Sequence, residues 1–223
     1  MVATVMSWPY PRSVRTGLSF CSRYPWPWAV LLMFHPAPDP DDIYGSLRDE
    51  STQWLVVHVG TLLFIGLMGA ALFLLVSDLS GLAATVSRVA AGVFVLGYGA
   101  GEAILGIAAG VLVRYANAAP ENERAGVAAA TQTLWDDMLS ADLASTVGAV
   151  GWAVGILAAA IALRQAGAPL AVSLLLAVST IVLLHGPPIG PVGLVFFAAA
   201  VALLARSTAR SGPSPQPRTV AQG

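Results

Sequence analysis

An all-α, polytopic transmembrane helix bundle is the fold class this sequence predicts, and three observations predict it. Of the 223 residues, 57% are hydrophobic and only 10% charged, with a mean hydropathy of +0.74, whereas a soluble domain carries about a quarter charged residues. The apolar residues gather in five runs, at 54–76, 89–113, 143–163, 169–184 and 189–205, and the longest exceed the roughly 20 residues that cross a hydrocarbon core as a helix. The runs are continuous rather than alternating, unlike the strands of an outer-membrane barrel, and backbone groups in lipid are then satisfied only within helices.

Residues 1–52 stand apart, with prolines at 9, 11, 25, 27, 36, 38 and 40 and acids clustered from Asp39 to Glu50. The apolar stretch 26–34 is too short to span, and Arg23, Pro25 and Pro27 stop its extension. It also lacks the uninterrupted core and small-residue cleavage site of a signal peptide. This segment is expected to be disordered or interfacial, with residues 1–32 packing against nothing and Met33 an alternative start.

Residues 53–206 form the membrane domain. The first three runs are full spans. Residues 121–142, with enough Ala, Leu, Gln and Met to be helical and carrying Glu123, Arg124 and Trp135, are expected to form an interfacial helix with Trp135 at headgroup level and Asp142 or Ser140 capping the next span. Asp136 and Asp137 are expected to face water. Runs four and five, of 16 and 17 residues, are joined by His185, Gly186, Pro187 and Pro188; two short spans are the reading, a re-entrant hairpin the alternative. Residues 207–223, rich in Ser, Pro, Gly and Arg, read as a disordered tail.

Basic residues near span ends set orientation. Arg48, Arg114 and Arg124 fall on one side, and Arg88, Arg164, Arg206, Arg210 and Arg218 on the other, which puts the amino terminus outside a cell membrane and the carboxyl terminus in the cytoplasm. Remote Arg12, Arg15 and Arg23, if counted, reverse the score. The net charge of -1 leaves no electrostatic footprint for nucleic acid, so the lipid bilayer is the expected partner.

Glycines recur at four-residue spacing, as Gly97 and Gly101, Gly106 and Gly110, and Gly151 and Gly155. Such pairs let helix backbones approach closely, within the bundle or between copies in a homo-oligomer. Thirteen residues into the run 89–113, Glu102 is its one charge. A central position in a 25-residue span would place it near the midplane, on one face with Tyr98 and Gly106, where an ionisable group reads as a functional site. A proton or cation site, with His58 and Tyr98 as companions, is one reading. A protonated structural acid bonded to Tyr98, His58, Ser173 or Thr180 is the other.

His35, His58 and His185 fall toward one side, but no H-E-x-x-H, C-x-x-C-H or paired histidine spacing supports a metal or haem, so no metal and no cofactor is assigned. Cys21 is the lone cysteine, and G-x-S-x-G is absent. No catalytic residue is assigned and an enzyme is not expected. His35 and Pro36, then Trp54 and His58 opening a span that precedes one with an intramembrane acid, resemble multi-pass integral membrane proteins of high-GC actinobacteria over residues 33–205. The resemblance implies location and topology, and favours Met33 as the start. The expected function is a small transporter or a proton- or ion-coupled membrane component using Glu102 on an unidentified ion or small molecule; the alternative is a non-catalytic scaffold packing through its glycine faces.

Overall fold

The structure, a computed structural model, describes Leu18 and residues 21–137, 142–184 and 186–210. Helix accounts for 83% of the described residues, with no strand among them. In order, the elements are α1 (Pro25–Leu32), α2 (Ile43–Leu47), α3 (Ser51–Leu75), α4 (Leu82–Gly101), a π-helical segment (Glu102–Ala108), α5 (Ala109–Ala118), α6 (Glu121–Asp136), α7 (Leu143–Gln165), α8 (Leu170–Ser179) with a 3-10 turn (Thr180–Leu183), and α9 (Ile189–Arg210). The π segment joins α4 and α5 into one 37-residue helix.

Four helices are long and apolar enough to cross a membrane: α3, the Leu82–Ala118 helix, α7 and α9. The segment expected as a fourth of five spans is shorter. Ser179 and Thr180 donate their hydroxyls back to the carbonyls of Leu176 and Ala177, a local competition that tightens the last turn into 3-10 geometry and ends the helix at Leu183.

Close helix approach is made by glycine. A Cβ on Gly97 would lie 2.8 Å from the Ala144 carbonyl oxygen, and one on Gly151 2.7 Å from the Phe94 nitrogen, so α4 and α7 meet almost backbone to backbone. Gly101 faces Ser145, Gly155 faces Leu72, and Gly106 and Gly110 give room to His58 and Trp54 of α3. All six glycines singled out from the sequence thus lie at helix contacts inside one chain, where van der Waals packing replaces the hydrophobic drive that lipid removes.

The amino-terminal segment departs from expectation. Cys21 donates its thiol to the Ala71 carbonyl oxygen at 3.4 Å, Trp28 Nε1–H donates to Thr61 Oγ1 at 3.3 Å, and Gln53 Nε2–H donates to the Phe34 carbonyl oxygen at 2.8 Å. Residues 21–34 therefore run antiparallel beside α3 from the level of Ala71 to that of Gln53. Leu18, Cys21, Trp28 and Leu32 belong to the main core. The expectation that residues up to 32 pack against nothing is corrected for the described ones. Its physical error lay with the prolines: Pro25 opens α1 and Pro27 follows within its first turn, where backbone N–H groups have no helical partner to lose. Arg23 is exposed and leaves the inner face apolar.

A smaller cluster, Ile43, Leu47, Trp54 and Val113 with Trp135 against it, closes the end at which α3 begins. Gln132 of α6 fastens the preceding loop there, accepting from Ile43 N–H and donating to the Pro40 carbonyl. Glu121 and Glu123 in the first turn of α6 suit the positive end of its dipole.

Candidate functional site

The site forms where α3 and the long helix cross in antiparallel register. Trp54 Nε1–H donates to the Gly106 carbonyl oxygen at 2.6 Å, and one turn on, His58 Nδ1 lies 2.5 Å from Glu102 Oε2. This register corrects the depth expected of Glu102. The acid stands level with His58, four residues or about 6 Å past Trp54, where the apolar run of α3 begins, and so near one end of that run rather than at its middle. The reason is overhang: the long helix has 37 residues against 25 in α3. Its end reaches the loops, where Asn117 Nδ2–H donates to the Arg48 carbonyl and Tyr44 O–H donates to Asn117 Oδ1.

Glu102 is 6% exposed and His58 4%, so lipid reaches neither. Of the four companions considered for Glu102, His58 is bonded to it, whereas Ser173 donates to the Ala160 carbonyl and Thr180 to that of Ala177. Tyr98, one turn before Glu102, is buried beside Phe94, ring centres 5.8 Å apart. Glu102 also opens the π segment. A π turn widens the helix, loosens the α-helical hydrogen-bond ladder and recurs at functional sites, and here Gly106 in that turn presents its carbonyl to Trp54.

Aromatic rings close around the pair. Trp54 lies 4.1 Å from His58 between ring centres and 6.3 Å from Trp135. His35, on the loop after α1, reaches within 5.0 Å of the His58 ring. Its Nδ1 lies 2.5 Å from the Pro36 carbonyl oxygen, which can only accept, so Nδ1 carries the hydrogen. Composition and spacing held no signal for this pairing of His35 and His58, because it depends on residues 21–34 lying alongside α3.

Pro36, Trp54, Tyr98, Glu102, Trp135 and Asp142 are among the residues lining a cavity of about 550 Å³. It runs inward from the loop end of the bundle, with Gly186 and Pro187 at its rim, to the His58–Glu102 pair. Trp135, expected as a headgroup anchor, lines this space. Asp136 accepts from Gln132. His185 and Ser140 lie outside the described residues. Among the described residues, no group of three His, Cys, Asp or Glu side chains is placed to hold a metal. No protein-family model, curated protein or solved structure matches the chain.

Proposed function

We propose that the protein is a small transporter or ion-coupled component of the cell membrane whose ion or small solute enters the cavity and is met by Glu102 and His58. One observation carries the reading: a cavity within the 300–1,000 Å³ typical of small-ligand sites opens at one end of a bundle of membrane-length helices and stops at a buried acid–imidazole pair. Ionisable groups buried to this extent within apolar helices are costly and mark solute paths. The scaffold alternative is less favoured, because the glycine faces it would use are filled within the chain.

The cavity mouth is proposed to face outside and the carboxyl end the cytoplasm, since Arg88, Arg164 and Arg206 flank the opposite end. In a Cys21→Ala background, the Ala149→Cys variant, altered at a residue that lines the cavity, should react with a membrane-impermeant thiol reagent added from outside. Ala159→Cys, at a fully buried position, should not. Proteoliposomes should pass a cation from a panel of monovalent and divalent ions, and Glu102→Gln should abolish that flux. An unreactive Ala149→Cys variant would remove the entry route, and wild-type vesicles passing no cation would remove transport.

A further inference from the structure

We infer that the ion taken into this cavity is a divalent transition metal, bound through Nε2 of His35 and Nε2 of His58. This deepens the reading of the cavity as a solute-entered site and rests on it. A histidine that binds a metal through one ring nitrogen nearly always donates the other N–H to a carboxylate or backbone carbonyl, which fixes its tautomer and aims its lone pair. Both imidazoles are held in that way. His35 Nδ1–H donates to the Pro36 carbonyl, and His58 Nδ1 meets the Glu102 carboxylate. With the hydrogen on Nδ1 of each ring, the tautomer that an ionised Glu102 selects at His58, Nε2 carries the lone pair, and both rings line the same cavity.

The spacing agrees. Two imidazoles sharing a tetrahedral ion at about 2.0–2.1 Å from each nitrogen set their ring centres about 5 Å apart, and the observed separation is 5.0 Å. Two imidazoles supply two of the four ligands of a tetrahedral ion. Imidazole donors select zinc, copper, nickel or cobalt over magnesium and calcium, which require oxygen ligands. Glu102 then orients His58 and is not itself a ligand.

The test is equilibrium dialysis of the purified full-length protein against Zn²⁺ alone, with Mg²⁺ as the comparator. One Zn²⁺ per chain and no Mg²⁺ are expected. His35→Ala and His58→Ala should each weaken Zn²⁺ binding at least tenfold, and Glu102→Gln about 10–100-fold, as loss of an orienting partner does. Co²⁺ bound to the wild type should show visible absorption that His35→Ala abolishes. If His58→Ala fails to fold, His35→Ala, altering a half-buried loop residue, and Glu102→Gln decide the matter, each checked by an unchanged metal-free melting curve. Zn²⁺ binding unaffected by His35→Ala, absent from the wild type, or matched by Mg²⁺ would overturn the assignment. Thiol labelling of the Ala149→Cys variant in a chain that binds no Zn²⁺ would remove the metal and leave the cavity reading standing.

Discussion

At the scale of single residues, arginine does more here than mark a membrane side. Arg88 donates to the carbonyls of Val76 and Leu79, Arg124 to those of Ala116 and Ala119, and Arg164 to that of Ala168. Each donates to carbonyls in the last turn of a helix or in the loop that follows it, where the α-helical ladder has ended. His58 and Glu102 are interdependent in a stricter sense, because burial makes each costly without the other. His58→Ala alone should destabilise the protein by about 3–5 kcal/mol, the cost of stranding one member of a buried pair. The double variant His58→Ala with Glu102→Leu should recover most of that loss, since an apolar replacement of both partners is close to neutral. Denaturant unfolding in detergent reads the cycle, and losses that simply add would show that the two side chains do not act together.

At the scale of elements, the pattern of apolar runs made α3, the long helix, α7 and α9 legible, because membrane length and continuous hydropathy are properties of the local chain. The glycine spacing was legible for the same reason. Three things were not. The depth of Glu102 depends on how far one helix overhangs another, which a run read by itself does not contain. The π segment has no composition of its own. Helix α1 is obscured when its prolines are counted rather than placed, and its worth is the apolar surface of Trp28 and Leu32 against α3 and α9. Trp28→Ala should therefore cost about 3–5 kcal/mol, and expression from Met33, which removes Cys21, Trp28 and Leu32 from the core, should lower the melting temperature of the inserted protein. A truncated chain as stable as the full one would show that this packing contributes nothing.

For the whole molecule, the chain direction bears on topology. Residue 21 stands beside Ala71, near the end of α3 that Arg88 caps, and α9 starts at the rim of the cavity and runs toward that same end. The described amino-terminal segment and the carboxyl end of α9 thus share one end of the bundle, whereas the count of Arg near span ends predicts termini on opposite sides. Membrane-side preferences act on flanking Arg, and Arg12 and Arg15 precede this segment in the sequence. A cytoplasm-active reporter fused after Gly223 should give signal, and one fused before Met1 should give it too. Silence from the carboxyl fusion would invert the molecule, and silence from the amino fusion alone would put the segment before Leu18 on the other side.

The wide turn at Glu102–Ala108 also has an evolutionary meaning. A π turn holds about one residue more than an α-helix needs over the same rise, so the long helix contains a single place where its sequence can shorten without rotating one end against the other. Before that turn, Gly97 and Gly101 are committed to α7; after it, Gly110 is committed to Trp54 and Leu55. Deleting Ile104 should convert the turn to ordinary α-helix and leave both commitments in place, giving a folded protein in which Glu102 no longer meets His58. Deleting Val95 should twist Gly97 and Gly101 off α7 by about 100° and prevent folding. The segment that carries the acid is thus the one stretch of this helix free to change length, and an insertion there would be enough to create the site.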